Sequence, residues 1–460
     1  METLAKPRRS EIESFVADWL SDERIPGAAI SVVDPKGTLY AEGFGARNLE
    51  RNVPATPDTL FGIGSCTKSF TAMAIMQLVE AGELSVEDPI SEYIPHLDDV
   101  PGEPITIHAL LTHTSGMPSD GAEVPLSTRS LGIGHVEVPL SSKDDFRRHV
   151  QASADRRVTD RETYFYYNSG YTMLGEIIEE VTGQSYAEYV SDRILAPLGM
   201  DRSTFDREEF EGEEDRMTPY IKPEGNSTEA GFPFDSLIHA PGGLISSVRE
   251  MGEYVRMYLN GGTLDGASVL SKSGVDEMRT GVTESDVYID DRTVEYGYGL
   301  TTEPFLDDTL VGHGGSIVVS KFWFGYLEDA KIGVAIGCTT SPETLLDDVG
   351  AAVLALLRDA DPTNAVPHYR LTDALDSVCG SYETYRDIGS AIVERDGGTL
   401  EFTQNTEFGE QALSLTPVTL EDDLLLCSTV LGSGRRYTVR FELDGDDVTC
   451  FFAGSRFVKE

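Results

Sequence analysis

The stretch Phe61-Gly62-Ile63-Gly64-Ser65-Cys66-Thr67-Lys68-Ser69-Phe70 constrains this chain more than any other. Two glycines lead it into a run from Thr71 to Val79 that is almost wholly apolar, long enough for a buried helix ending near Gly82. Ser65 falls at the first turn of that helix, where free backbone N–H groups and the positive end of the helix dipole stabilise an oxyanion. Lys68, three residues on, shares its face and reaches the hydroxyl. A charge at the mouth of an apolar helix needs a reason. Ser-x-x-Lys supplies one: a nucleophile whose proton passes to a lysine kept partly neutral by its surroundings. The same spacing occurs on solvated helices, so further residues have to decide.

At 460 residues the chain exceeds one usual core, and one large domain plus a smaller one is the expected layout. No apolar run of about 18 residues is present, so no membrane span is expected. Met1 to Arg9 leads into a polar amphipathic segment and not an apolar secretory region, which predicts a cytoplasmic protein. Acidic residues outnumber basic ones by 79 to 36, for a formal net charge of −43. Nucleic acid and anionic membranes are therefore excluded as partners on electrostatic grounds. The acids are spread along the chain and do not form one tail. That pattern predicts a protein adapted to molar salt, where screening over about 3 Å suppresses self-repulsion. The five cysteines, Cys66, Cys338, Cys379, Cys427 and Cys450, form no Cys-x-x-Cys pair and read as reduced, buried thiols. Cys66 is turned away from the Ser65–Lys68 face by one helical step and reads as packing. The eight histidines are scattered without ligand spacing, so neither metal nor cofactor is implied.

Residues 10–20 pattern as an amphipathic helix, and Ala28–Val33 with Thr38–Gly43 as a hairpin around Asp34-Pro35-Lys36-Gly37. From Leu84 to about Ser246 short helices and long loops dominate. Within this region Pro118–Asp144 is a poorly periodic insertion, read as a lid in preference to a plain surface loop. Glu208–Asp215 is an acidic run, read as a solvated surface. Val248–Leu259 is helical. Tyr296–Leu300, Thr309–His313, Ser316–Leu327 and Lys331–Cys338 read as strands, with turns at Gly314-Gly315 and Glu328-Asp329, before a last apolar helix at Leu346–Leu357. Strands at both ends and helices between them predict an α+β domain over 1–358: one antiparallel sheet flanked by helices, with a helical region to one side. Residues 359–370, with Pro362, Asn364 and Pro367, read as a linker. Seven short strand-like runs between Ser381 and Val458 then predict a small all-β meander barrel over 371–460.

Three further constellations bear on Ser65 and Lys68. In Tyr164-Phe165-Tyr166-Tyr167-Asn168-Ser169-Gly170, ahead of a helix from about Tyr171 to Val181 capped by Gly183, Tyr166 can carry protons to a leaving group. Asn168 can orient lysine or substrate; an aromatic core loop is the bland alternative. In Val311-Gly312-His313-Gly314-Gly315-Ser316, the glycines admit close approach of a substrate, and the Ser316 N–H can pair with that of Ser65 as an oxyanion hole. In Leu110-Leu111-Thr112-His113-Thr114-Ser115-Gly116, His113 reads as a structural residue at a helix end.

Ser65-x-x-Lys68, Tyr166-x-Asn168 and His313-x-Gly315, in this order, resemble the serine β-lactamase-like family: its class C branch with the related DD-peptidases, esterases and D-aminopeptidases. Leu110–Pro118, Tyr166–Gly175 and Ile194–Met200 look typical of it as well. The C-terminal module resembles the lipocalin-like domain of some CubicO-group peptidases, where it helps assembly or covers the site; a homo-oligomer through that domain is the implied partner arrangement. By this resemblance Ser65 is the nucleophile, Lys68 its general base, Tyr166 the proton carrier and Asn168 a positioning amide. His313, Gly314, Gly315 and Ser316 line the substrate and oxyanion side. His313 stands where the lactamases and DD-peptidases have lysine, which favours ester or D-aminoacyl amide and peptide chemistry over β-lactam turnover. The implied substrate is a small ester, amide or short peptide. An acyl-trapping penicillin-binding protein with slow turnover is the alternative, and a catalytically inactive homologue a further one. No Gly-x-Ser-x-Gly elbow surrounds Ser65, so an α/β-hydrolase reading fails.

Overall fold

The computed structural model describes residues 4–460 apart from 99, 120, 133–137, 160–162, 222–226, 407–408 and 446. The chain divides into two compact units, one of 1–286 with 294–358, the other of 287–293 with 359–460. In chain order the helices that matter here are α1 (Lys6–Asp22), α2 (Thr67–Ala81), α3 (Glu123–Leu131), α4 (Asn168–Thr182), α5 (Val248–Leu259), α6 (Leu346–Leu357) and α7 (Pro367–Val378).

The first unit is built on a nine-stranded sheet. Its strands are β1 (Gly27–Asp34), β2 (Gly37–Asn48), β3 (Val53–Pro54), β4 (Thr283–Val287), β5 (Thr293–Tyr296), β6 (Thr301–Phe305), β7 (Asp308–Ile317), β8 (Ser320–Leu327) and β9 (Ile332–Cys338), in the order β4-β5-β6-β7-β8-β9-β1-β2-β3. The N-terminal hairpin thus joins the C-terminal strands through β1 and β9, antiparallel from Ala28↔Cys338 to Val33↔Gly333. This closes the sheet from the two ends of the unit, as its strand pattern predicts. Helix α5 packs on β1 and β9, and α6 packs on β8 and β9. Helix α2 has Thr67 to Met76 and Leu78 buried, which its lack of a polar face requires. Phe70 stacks on Tyr254 at 3.8 Å and 10°. Gly82 (φ 72°) and Gly183 (φ 69°) end α2 and α4 in the left-handed conformation that glycine adopts without strain.

Gly314-Gly315 is not a turn. β7 runs straight through it, with Gly314↔Trp323 and Gly315↔Phe322 in register, and the chain reverses between Ile317 and Ser320. Glycine is there for space: a Cβ on Gly315 would lie 1.9 Å from the Ile63 carbonyl oxygen. The strand expected at Tyr296–Leu300 is instead the reversal between two strands, with β5 ending at Tyr296 and β6 starting at Thr301. The Pro118–Asp144 insertion contains the regular helix α3; its residues 120 and 133–137 lie outside the described ones.

The second unit carries a closed antiparallel barrel of eight strands, from Gly380–Glu383 to Ser455–Lys459, sealed by Tyr382↔Lys459 and Glu383↔Val458. The single run expected at Val448–Val458 is two strands, because Ala453 (φ 50°) and Gly454 (φ 85°) turn the chain between them. Tyr382, Phe402, Leu415, Leu425, Phe441 and Phe457 fill the barrel. The stretch 359–370 read as a linker is helical instead, with a short helix Pro362–Ala365 ahead of α7. Both prolines sit in first turns, where a missing N–H loses nothing, and the Asp361 side chain accepts from the Thr363 N–H. Ala374, Leu375 and Val378 of α7 join the barrel core.

Candidate active site

Ser65 sits in a tight turn, Gly64–Cys66, that opens into α2. Gly64 (φ 53°) lies so close to β7 that a Cβ there would be 2.6 Å from the Ser316 nitrogen. On the strand side, a Cβ on Gly315 would be 2.8 Å from the Ser65 nitrogen. Two glycines, Gly64 and Gly315, thus let the turn and β7 approach closely enough to set the backbones of Ser65 and Ser316 side by side, and Cys66 Sγ, buried, donates to the His313 carbonyl at 3.1 Å to fix the approach. The Cys66 thiol is pushed well up by burial, which keeps it an inert packing group.

Lys68 is 0 % exposed, and its Nζ meets three oxygens: Ser65 Oγ at 3.1 Å, Asn168 Oδ1 at 2.7 Å and the Pro241 carbonyl at 2.8 Å. Nζ also lies 4.7 Å from the centre of the Tyr166 ring and 5.4 Å from that of Tyr171. Burial lowers Lys68 to about 7, against an upward pull from the carboxylate of Glu123. The hydrogen-bond arithmetic then has one solution for the neutral amine. Asn168 Oδ1 and the Pro241 carbonyl only accept, so they take the two N–H groups, and the lone pair faces the Ser65 hydroxyl. That is the arrangement a general base needs.

Tyr166 and Asn168 come from the segment entering α4, which begins at Asn168, three residues earlier than its apolar pattern suggests. The Tyr166 phenol is hydrogen-bonded to the Ser65 side chain; burial pushes it well up and the serine draws it back. His313 is placed by β7 on the Ser65 side of the sheet and is 5 % exposed. Its Nδ1 donates to the Gly314 carbonyl at 2.6 Å, and its Nε2 accepts from the Tyr296 hydroxyl at 3.0 Å. Burial and the neighbouring Lys68 lower it to about 3, so the ring is neutral throughout the working pH range and does not titrate near the ordinary histidine value of about 6.5.

Two hollows that share Ser65 and Ser316 in their linings flank the site. One, of about 330 Å³, is lined by Asn168, Glu123 and Val124 of α3, Ile238, Pro241 and Ile317. The other, of about 400 Å³, runs past Tyr166, Tyr164, His313 and Gly314 to Asp286 and Asp347. β6 pairs with β7 only as far as Gly312, so residues 313–316 present an open strand edge to this second hollow. Sequence reasoning missed the Pro241 carbonyl, Tyr296 and Glu123. The first is a backbone group, in a segment where Thr71 Oγ1 donates to the carbonyl of the preceding residue, Ala240, at 2.7 Å. Only the turn signal Pro241-Gly242-Gly243 marks it in the sequence. Among the described residues no group of three metal-ligating side chains occurs, and no helix is long and apolar enough to cross a membrane.

The model of the Pab87 octamerisation domain matches residues 362–458, where the sequence resembles a lipocalin-like module. Over nearly its whole length the chain is similar to the octameric penicillin-binding protein homologue from Pyrococcus abyssi. The two share 35 % identity with a TM-score of 0.85, over 98 % of this chain and 100 % of that one. The D-stereospecific amidohydrolase from Streptomyces sp. is 25 % identical with a TM-score of 0.58, over 72 % of this chain and 94 % of that one. Among curated proteins, protein flp from Staphylococcus aureus (strain MW2) is 29 % identical over 262 residues, 56 % of this chain and 50 % of flp. The chain thus spans about half the length of the curated relatives it matches first. Since the Beta-lactamase family model matches residues 9–358, taking in the whole sheet and the turn that bears Ser65, the chain belongs to the beta-lactamase family.

Proposed function

We propose that this chain is a serine hydrolase that works through an acyl-enzyme on amides or short peptides of D-amino acids and on small esters. The single observation that carries the reading is the Lys68 amine, fully buried, lowered to about 7 and left with its lone pair toward Ser65. Ser65 Oγ attacks the substrate carbonyl while Lys68 takes its proton, and the N–H groups of Ser65 and Ser316 hold the oxyanion. Tyr166, bonded to Ser65, or Lys68 returns the proton to the leaving nitrogen or oxygen; water then cleaves the acyl-serine by the same steps in reverse roles. Asn168 keeps Lys68 in register. His313, neutral and bonded on both nitrogens, offers no fixed cation to a substrate carboxylate, which supports amides and esters over β-lactams and carboxylate-terminated peptides. The D-stereospecific amidohydrolase of similar fold supports the D-amino-acid class. Residues 362–458 are proposed to assemble the chain into a homo-octamer, by the description of the matching domain and the octameric relative.

The test is intact mass after exposure to a fluorophosphonate in high KCl, with Ser65→Ala alongside. One adduct on the wild type and none on the variant is expected, followed by turnover of D-aminoacyl amides and esters. No adduct on a folded wild type sinks the reading. A stable adduct with no turnover of any substrate would move the chain to the acyl-trapping class. Light scattering of the full chain tests assembly: an eightfold multiple of the 50.2 kDa chain is expected, and a monomer would refute it.

A further inference from the structure

His113 has no part in the steps above, yet it stands directly behind them. It follows the short helix Ile107–Leu111, has φ 59° and is 1 % exposed. The left-handed region is rare for any residue but glycine, though Asn, Asp and His enter it more readily than the rest. In that conformation His113 bonds two backbone amides at once. Its carbonyl accepts from the Phe165 N–H at 2.9 Å, and its ring Nδ1 accepts from the Tyr167 N–H at 3.0 Å. These two amides flank Tyr166, and the second leads straight into Asn168. The ring itself lies 4.4 Å from that of Tyr166, centre to centre, with Tyr296 at 4.8 Å and Tyr171 at 5.2 Å on other sides.

Since Nδ1 accepts, the ring proton is on Nε2, and Nε2 is buried with no hydrogen-bond partner among the described residues. A left-handed backbone and an orphaned donor both work against folding, and they meet at one residue. A role as acid or base does not account for them: Nδ1 is occupied by an amide and Nε2 is already protonated. We propose that His113 is a positioning residue, which sets the Tyr166 phenol and the Asn168 amide against Ser65 and Lys68 by holding the backbone on either side of Tyr166. The grip works only with the neutral ring. The ionisable groups that face it, Lys68, His313 and the phenols of Tyr164, Tyr166, Tyr171 and Tyr296, include no carboxylate that favours the cation, and burial, Lys68 and His313 hold it well below its ordinary value.

The proposal rests on the acyl-enzyme reading, and one set of full-length variants separates the two. The readouts are the rate constant for fluorophosphonate labelling of Ser65, kcat and KM for p-nitrophenyl acetate, and the unfolding midpoint. His113→Asn keeps a residue tolerant of the left-handed region and an oxygen where Nδ1 stood; His113→Phe keeps a ring but no acceptor; His113→Ala keeps neither. Ala and Phe are expected to label about ten- to a hundredfold more slowly, the scale of an ångström-sized misplacement, with kcat reduced and KM held. Asn is expected to recover most of the rate. If His113 only fills space, the order reverses and Phe outperforms Asn; that result, or Ala labelling at the wild-type rate, overturns the proposal. Should Ala fail to fold, the Asn–Phe pair still decides. A folded wild type that takes no label sinks the acyl-enzyme reading and this proposal with it, whereas labelling with the wrong variant order sinks the positioning role alone.

Discussion

Along the barrel strand Leu424–Val430, Leu425, Cys427 and Thr429 are buried while the residues between them are partly or fully exposed. Along β7 the same alternation breaks: four consecutive residues, Leu310 to His313, are buried, and two glycines follow in mid-strand. Among the described residues the barrel buries no polar side chain but Thr429, whereas the surroundings of Ser65 bury Lys68, His113 and His313. The barrel has only to close on itself, and period-two patterning with an apolar interior does that. The site has to hold an uncompensated amine, admit a turn against a strand and aim a phenol. Each of these requires a local rule to be broken and the surrounding packing to enforce it.

If the buried polar groups around Ser65 are structural, the site and the barrel differ only in composition. Lys68→Met should abolish Ser65 labelling, by about 10⁴-fold or more, and yet leave the unfolding midpoint unchanged or raised, because a buried amine is replaced by an apolar chain of similar length. A large loss of stability on this substitution would mean that Lys68 is held for the fold and not for chemistry. The barrel counterpart is Phe402→Ala. Phe402 is fully buried against Phe452 and Phe457, and its removal should cost about 3–5 kcal/mol in the second unit's unfolding while the labelling rate of Ser65 stays within twofold or so. Between them stands Gly315→Ala. Its Cβ would meet the Ile63 carbonyl and the Ser65 nitrogen, so the labelling rate should fall steeply with little effect on the barrel.

This contrast also governs what the sequence reveals. Wherever a residue acts through a local pattern, it is legible: the α2 run with its closing Gly82, the period-two strands of the barrel, and the ordered Ser65, Lys68, Tyr166, Asn168 and His313. What escapes notice acts through space. The Pro241 carbonyl is a backbone atom 173 positions from the lysine it binds, and no side chain announces it. His313 is held neutral by burial and by Lys68, 245 positions away in the chain, with Tyr296 bonded to its Nε2 from 17 positions away, so a lone histidine beside glycines looks free to titrate when it is not. Gly314-Gly315 carries a turn signature because glycine's two uses, positive φ and close approach, look alike in one dimension. Pro362 and Pro367 mislead for a related reason, since proline both breaks helices and begins them.

A subtler difference between the regions lies in their linkage to pH. Lys68 falls to about 7 in the folded chain from an unfolded value near 10.4. The folded form therefore binds fewer protons than the unfolded one between these values, and stability rises with pH across that window. Below about 7 the penalty is present in full. Labelling and turnover, which need the neutral amine, should rise through an apparent pKa of about 7 and then level off. His313, lowered to about 3, should add no second step between pH 4 and 9. The stability gap between Lys68→Met and the wild type should be widest below pH 7 or so and close toward about 10. A step in activity near 6.5 that vanishes in His313→Asn would show instead that His313 titrates there, and that burial and Lys68 do not hold it neutral.

Salt should produce the smallest effect and separate the regions once more. A net charge of −43 spread over the chain repels itself, and the interaction reaches about 10 Å at 0.1 M salt but about 3 Å at 1 M. The unfolding midpoint of the whole protein should rise with KCl over this range, and one that does not rise refutes adaptation to salt. At the site the same field acts on one proton. The surrounding acids, Glu123 first among them, favour the charged Lys68, so they hold its pKa above the value that burial alone would set. Screening weakens the distant acids more than a near one, and the apparent pKa of the activity profile should drift down by a few tenths as KCl rises. Glu123→Gln should lower it at every salt concentration and leave less drift only if Glu123 itself is screened. A drift of unchanged size in that variant would assign it to the distributed charge, whose screening by salt is what makes so acidic a chain compatible with a neutral lysine.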